Sequence, residues 1–199
     1  MYPETWFRLA FVAILIPMMI IRLRWHRRAE VTRPGVMMRK EGKWMAPVRW
    51  IFFPATMILL MFWLAAPDVM PGLILPIPAE LRWVGLPMGL LGLVLLHRVH
   101  EALRENFSPE LRIREHHQLV TSGPYAKVRH PMYTSFLLLV GSMALLSAHV
   151  VVWIMLFGMA YAVILKRLPR EEQMMVDRFG LEYEAYRSRT GLLLPPWPA

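Results

Sequence analysis

The stretch PMYTSFLLLVGSMALLSAHVVVWIMLFGMAYAVIL, residues 131–165, runs for 35 residues without an Asp, Glu, Lys or Arg. As one helix it would be about 50 Å long, far beyond the roughly 30 Å of bilayer hydrocarbon. It therefore reads as two apolar helices folded back on each other, turning at Ser147-Ala148-His149. Working outward from this hairpin, residues 83–97 form a second uncharged run, extended backward by residues 79–81. Residues 50–67 form a third, with 18 uncharged positions, close to the roughly 20 that a crossing needs. Residues 9–21 form a fourth, and its flanks at 2–8 and 22–25 can lengthen the helix while the arginines snorkel. The expected fold is all-α: a polytopic membrane protein with five transmembrane helices, the last two a tight hairpin. The first segment lacks a basic leader and a small-x-small cleavage site, so it is expected to stay as an anchor.

Composition agrees with this reading. Of 199 residues, 56% are hydrophobic and only 19% charged. Soluble domains run nearer 45–50% apolar and about 25% charged. There is no Cys, which excludes disulfides, thiolate metal sites, iron–sulfur clusters and a Cys nucleophile. The net charge of +9 would suit either nucleic acid or an anionic membrane surface. The apolar runs decide for membrane lipids, and no nucleic-acid partner is expected. No GxGxxG, P-loop, GxSxG or HExxH pattern occurs, so a soluble nucleotide fold, a serine hydrolase and a zincin have no support.

Charge also gives an orientation. With five spans and the N-terminus outside, only Arg8 and Arg82 of the 23 Lys and Arg lie on the outer side. The rest, Arg22, Arg129, Lys166 and Arg167 among them, gather on the inner side, as the positive-inside rule requires. A single span over residues 131–165 would carry the basic C-terminal tail outside. The expected topology is therefore an integral protein of the cell membrane, N-terminus outside and C-terminus cytosolic. It forms one membrane domain over residues 1–199, with three spans in 1–103 and the chemistry in 104–199. The tail opens with Pro169-Arg170-Glu171-Glu172, Pro and acids where a first helical turn favours them. Met175, Phe179, Tyr183 and Tyr186 follow at spacings of four, four and three, an amphipathic helix with Gly180 as its weak point.

The polar residues form three groups at the inner ends of the spans. The densest is 115–133, EHHQLVTSGPYAKVRHPMY, in which Gly123-Pro124 marks a turn and Pro131 can open the fourth span. Read plainly, its Tyr and Arg are interfacial anchors. The second, Lys166-Arg167-Leu168-Pro169-Arg170-Glu171-Glu172, packs opposite charges at the end of the last span, as a zwitterion or anionic headgroup would need. Taken singly, Lys166, Arg170 and Glu172 read as anchors and capping acids. In the third, His97 and His100 share a helix face as a metal pair would. No third ligand has a suitable spacing, so no metal site is expected.

The order of residues adds to this. LVTSGPYAKVRHPMY, residues 119–133, closely resembles the signature of the isoprenylcysteine carboxyl methyltransferase family, small integral-membrane enzymes that use S-adenosyl-L-methionine. The resemblance continues through Arg167 and Glu171-Glu172 to FGLEYEAY, residues 179–186. Asn106-Phe107-Ser108 looks like a short element of prokaryotic members. It implies cofactor contacts at His117, Gln118, Leu119, Val120, Tyr125, His130, Pro131, Met132, Tyr133 and Glu171. It also implies an acceptor contact at Arg167, with Arg167 and Glu171 as the catalytic pair. Glu110 stands where eukaryotic members carry a Gln, and Ser135 replaces a usual Gly.

Such a site makes chemical sense. Methyl transfer from a sulfonium to a carboxylate needs no base, because the carboxylate is ionised at neutral pH; it needs orientation and exclusion of water. Arg167 can grip a carboxylate with two donors. Glu171 can take the cofactor's ammonium, and His130 with Tyr125 its carboxylate. The resemblance implies O-methylation of a lipid-like acceptor, a prenylated small molecule or protein of the isoprenylcysteine type. Rival readings are a phospholipid N-methyltransferase, a sterol-reductase-like enzyme using NADPH, and a non-enzymatic scaffold.

Overall fold

The computed structural model describes residues 4–31, 36–39, 50–51, 53–65, 73–108, 112–114 and 118–196. Seven helices cover most of them: α1 (Glu4–Val31), α2 (Phe53–Ala65), α3 (Ala79–Trp83), α4 (Gly85–Leu103), α5 (Pro131–Ser147), α6 (Val150–Phe179) and α7 (Leu181–Arg189). Among the described residues, three stretches are long and apolar enough to cross a membrane: Glu4–Ala29, Ala79–Asn106 and Val150–Phe179. Two apolar helices, Pro54–Ala65 and Pro131–Ser147, are shorter. Their lipid-facing character shows in large exposed side chains such as Leu9, Ile16, Ile58, Leu91, Val94, Ile154 and Tyr161. Large bare apolar surface of this kind fits a protein of the membrane.

One departure from an all-helical chain appears. Val36–Arg39 (β1) pairs antiparallel with Arg112–Arg114 (β2), in the register Val36↔Arg114, Met38↔Ile113 and Arg39↔Arg112. Strands of four and three residues are too short for side-chain alternation to reveal them. The ribbon ties the segment after α1 to the segment after α4.

The centre of the fold is the close contact between α4 and α5. Gly85, Gly89 and Gly92 recur every three to four residues on one face of α4, so that face has no side chains. A Cβ at Gly89 would lie 2.4 Å from the Ser142 hydroxyl, and one at Gly92 would lie 2.9 Å from Leu139. Small residues on this spacing let two backbones approach, the usual solution where lipid removes any hydrophobic drive between helices. The Ser142 hydroxyl donates to the Gly85 carbonyl at 2.6 Å. Against this pair α1 lays Phe7, Phe11, Ile14 and Leu15, which follow one face and are buried.

The 35-residue run breaks where its length demanded. Helix α5 stops at Ser147, Ala148 takes a left-handed conformation (φ 46°, ψ 31°), and α6 starts at Val150. An alanine there carries a strain of about 1–2 kcal/mol. Its neighbourhood holds it: its N–H donates to the Ala144 carbonyl at 3.0 Å, and its own carbonyl accepts from the Leu75 N–H at 2.6 Å.

At the other end of α6 the expectation needs correcting. Pro169 does not open a new helix; it lies inside α6, which runs on to Phe179. The lost proline N–H removes one ladder bond, but the Arg167–Glu171 pair bridges the same turn at 2.8 Å. The break falls at Gly180, whose φ of 51° suits glycine. The amphipathic tail is thus shared between the end of α6 and α7, with Tyr183 and Tyr186 buried.

Candidate functional site

The site forms where the start of α5 meets the far end of α6. Pro131 is the first residue of α5, and its missing N–H costs nothing there. His130 precedes it, buried to 8% exposure, with Tyr125 and Tyr133 buried on either side in sequence. Tyr125 sits in a single 3-10 turn, Gly123–Ala126. Gly123 opens that turn with φ 60° and packs beside Ala102 of α4.

Glu171 stands at the centre. Its carboxylate accepts from Arg167 Nε at 2.8 Å and lies 3.6 Å from His130 Nδ1. It also faces the hydroxyl of Tyr133 and the phenol of Tyr125. Of the residues expected to act, the structure thus gathers Arg167, Glu171, His130, Tyr125 and Tyr133 around one carboxylate. Gln118, Leu119 and Val120 lie apart from this cluster, in a groove of about 460 Å³ that they share with Ala102, Asn106 and Ser122. Asn106 holds the groove's shape by accepting the Gln118 backbone N–H at 3.1 Å. The groove's rim at Ser122 leads directly into the turn carrying Tyr125. Met132 is half-buried, and its carbonyl accepts from the Ser135 hydroxyl at 2.7 Å. His117 and Glu110 lie outside the described residues.

A second carboxylate, Glu172, does more than the sequence suggested. One of its oxygens accepts from His130 Nε2 at 2.5 Å and from the Tyr183 hydroxyl at 2.5 Å. Arg129 Nε donates to the same oxygen at 3.4 Å, and Arg187 approaches the other at 3.9 Å. Arg129 also donates to the backbone carbonyls of Arg187 and Thr190. The Tyr186 hydroxyl donates to the Tyr125 carbonyl at 2.7 Å. Residues 127–130 and 191–192 then bond side by side: Gly191 N to Lys127 O at 3.1 Å, Arg129 N to Gly191 O at 2.8 Å and His130 N to Leu192 O at 3.1 Å. Glu172, read from sequence as a helix-capping acid, is the hub that fastens α7 and the C-terminal segment to His130. The signal for it was the presence of Arg129, His130 and Tyr183, three donors awaiting one acceptor.

These contacts set the charge state of the imidazole. Burial alone would lower the His130 pKa, but the hydrogen bond to Glu172 and the negative charge of Glu171 and Glu172 outweigh it and raise the pKa above the ordinary histidine value. Burial drives Tyr125 and Tyr183 upward, and Tyr186 up to about 12, so all three remain neutral phenols. The site therefore offers a ring biased toward its protonated form, a buried carboxylate paired with a guanidinium, and neutral hydroxyls. That set suits a zwitterion, one carboxylate for an ammonium and cationic donors for a carboxylate. Among the described residues no group of three or more His, Cys, Asp or Glu could hold a metal ion.

Residues 84–177 match the model of the isoprenylcysteine carboxyl methyltransferase family. The chain is 34% identical to protein-S-isoprenylcysteine O-methyltransferase B of Arabidopsis thaliana over 113 residues, covering 53% of this chain and 54% of that one. It is 32% identical to a probable protein-S-isoprenylcysteine O-methyltransferase of Oryza sativa subsp. japonica over 121 residues, covering 57% and 60%. The chain thus spans little more than half the length of these relatives. In fold it is similar to the solved structure of the eukaryotic intramembrane Ras methyltransferase, an isoprenylcysteine carboxyl methyltransferase. The TM-score is 0.53 at 21% identity, covering 78% of this chain and 53% of the other.

Proposed function

We propose that this chain, whose residues 84–177 match the model of the isoprenylcysteine carboxyl methyltransferase family, is an S-adenosylmethionine-dependent methyltransferase. Its acceptor is the carboxylate of a lipid-like, isoprenylcysteine-type molecule at the inner membrane interface. The observation that carries this reading is the Glu171 carboxylate, flanked by Arg167, His130 and two phenols inside the matched region.

The residues fit the cofactor. Glu171 would hold its ammonium group. His130 would donate to its carboxylate through Nδ1, since Nε2 is committed to Glu172 and Nδ1 stands 3.6 Å from Glu171, beyond hydrogen-bond reach. The groove lined by Gln118, Leu119 and Val120 would take the nucleoside; its volume falls in the roughly 300–1,000 Å³ range of small-molecule sites. Pro131, Met132, Tyr133 and His117 complete the proposed contacts. When bound, S-adenosylmethionine supplies an electrophilic methyl group on a sulfonium.

The protein's own task is then positional. Arg167 orients the acceptor's carboxylate, which is already ionised and needs no base. Glu171, one turn on, fixes the Arg167 side chain through Nε. The apolar helices around the site keep water away from the reacting atoms. We place five crossings in the membrane, with the N-terminus outside, because Arg8 and Arg82 alone of the basic residues would then face outward. Reporter fusions at Asp68 and Ala199 should report opposite sides; the same side for both would refute five crossings.

Purified protein tests the reading. Direct binding should detect S-adenosylhomocysteine and not NADPH. Labelled methyl groups should pass to a farnesylcysteine carboxylate and not to a phospholipid amine. Transfer to the amine alone would make the enzyme a phospholipid N-methyltransferase, and binding of NADPH alone would make it a reductase.

A further inference from the structure

Arg22 reads from sequence as one more basic residue at the inner end of the first span. The structure gives it a different setting. Its guanidinium carbon lies 5.2 Å from the centre of the Phe136 ring on α5 and 5.8 Å from that of Phe107, just beyond α4. It is half-buried, turned into the bundle, and close enough to Arg167 of α6 for the two cations to oppose one another electrostatically. No carboxylate among the described residues pairs with it. Its other near neighbour, His100, is fully buried against Phe107 at 4.6 Å between ring centres. The Nδ1 of His100 pairs with the Leu96 carbonyl at 2.8 Å, which makes Nε2 the acceptor of a neutral ring. It therefore brings no negative charge.

Among the described residues the charges around this corner do not balance. Glu171 serves both Arg167 and His130. Glu172 serves His130, Arg129 and Arg187. Arg22 is a further cation set against Arg167 in a partly apolar place, where like charges repel more strongly than in water. Two aromatic rings hold it there and leave its planar fan of N–H donors for an anion.

We propose that Arg22 is a second arginine of the acceptor site, and that α1 supplies it so that the acceptor's carboxylate is held between the guanidinium groups of Arg22 and Arg167. This rests on the carboxylate-methylating function argued above. It gives the first helix, outside the family-matched residues 84–177, a role in selecting an anionic acceptor.

The experiment compares the full-length enzyme with Arg22→Gln and Arg22→Lys, using N-acetyl-S-farnesylcysteine as acceptor and its carboxamide as a competing ligand. Thermal melting and S-adenosylhomocysteine affinity report folding. Arg22→Gln should raise the acceptor KM roughly tenfold or more, the size expected for one lost charge-assisted contact. Its kcat and cofactor affinity should change less than about twofold. Arg22→Lys should fall between. The wild-type preference for carboxylate over carboxamide should shrink in Arg22→Gln. An unchanged KM, an equal loss for both ligands, or weakened binding only to anionic vesicles overturns the proposal. If wild-type protein neither binds nor methylates the farnesylcysteine, the functional reading itself fails, a result distinct from normal turnover that ignores Arg22.

Discussion

The two ends of α5 each carry a cluster of charges, and the two clusters are built to different ends. Near Leu146, Arg82 donates to both oxygens of Glu4, at 2.6 and 2.9 Å, and to the Leu146 carbonyl at 2.8 Å. Its guanidinium also lies 3.7 Å from the centre of the Phe7 ring. One cation meets one carboxylate, and α1, α3 and α5 are stapled together. At the other end, around His130, two carboxylates serve at least four cationic groups and receive phenolic hydroxyls as well. The first arrangement is closed, with charge matched to charge. The second, among the described residues, holds more cations than anions and borders a groove. Buried charge in a membrane protein is costly, so an unbalanced cluster points to a ligand that completes it.

The largest expected effect lies in the unbalanced cluster. Arg167→Lys keeps the charge and removes the planar two-donor grip. Single-turnover methyl transfer should fall about 30- to 1,000-fold, or roughly 2–4 kcal/mol. Affinity for S-adenosylhomocysteine should remain near the wild-type value. Full activity, or a failure caused only by lost cofactor binding, would return Arg167 to the status of an anchor like Lys166.

The matched cluster should answer to stability alone. Arg82→Ala leaves the Leu146 carbonyl without that donor and cuts a pair whose two sides are 6% and 44% exposed. Because Glu4 can be rehydrated, the cost should be about 1–3 kcal/mol, below that of a wholly buried pair. Thermal unfolding in detergent measures it. Cofactor affinity of the folded variant should stay unchanged, and a parallel drop in affinity would erase the distinction between the two ends.

The contrast also marks how far the sequence could be read. The break at Ala148 was legible because no helix of 35 apolar residues fits a bilayer, and that argument needs only length. The gathering of Arg167, Glu171, His130, Tyr125 and Tyr133 was legible because a rare run of residues recurs in order. Helix α6 passing through Pro169 was not, since proline and acids are the usual marks of a helix start and the Arg167–Glu171 bridge across that turn is invisible until the helix exists. Glu172 and Arg22 were missed for another reason. Glu172 meets His130 across 42 residues, and Arg22 meets Phe136 across the whole distance from α1 to α5. Charge at a span's end reads as anchoring until the fold brings its partners near.

The smallest effect tests the unbalanced cluster through pH. Glu171 and Glu172 raise the His130 pKa against the pull of burial, so the protonated ring is stabilised in the folded protein. A group whose pKa is higher folded than unfolded gives its full stabilisation below the unfolded value of 6.5 and loses it as pH climbs through the folded value. In ligand-free protein, wild type should therefore exceed His130→Gln in stability most clearly below pH 6.5. The gap should narrow as pH rises through the raised value, then stay level. Arg82→Ala, in the matched cluster, should show a constant deficit across that window. Paired urea or thermal unfolding series at several pH values would read both slopes. A flat gap for His130→Gln would mean that the imidazole is neutral between its two carboxylates. The donor proposed for the cofactor's carboxylate would then be missing, and the two ends of α5 would differ less than their geometry implies.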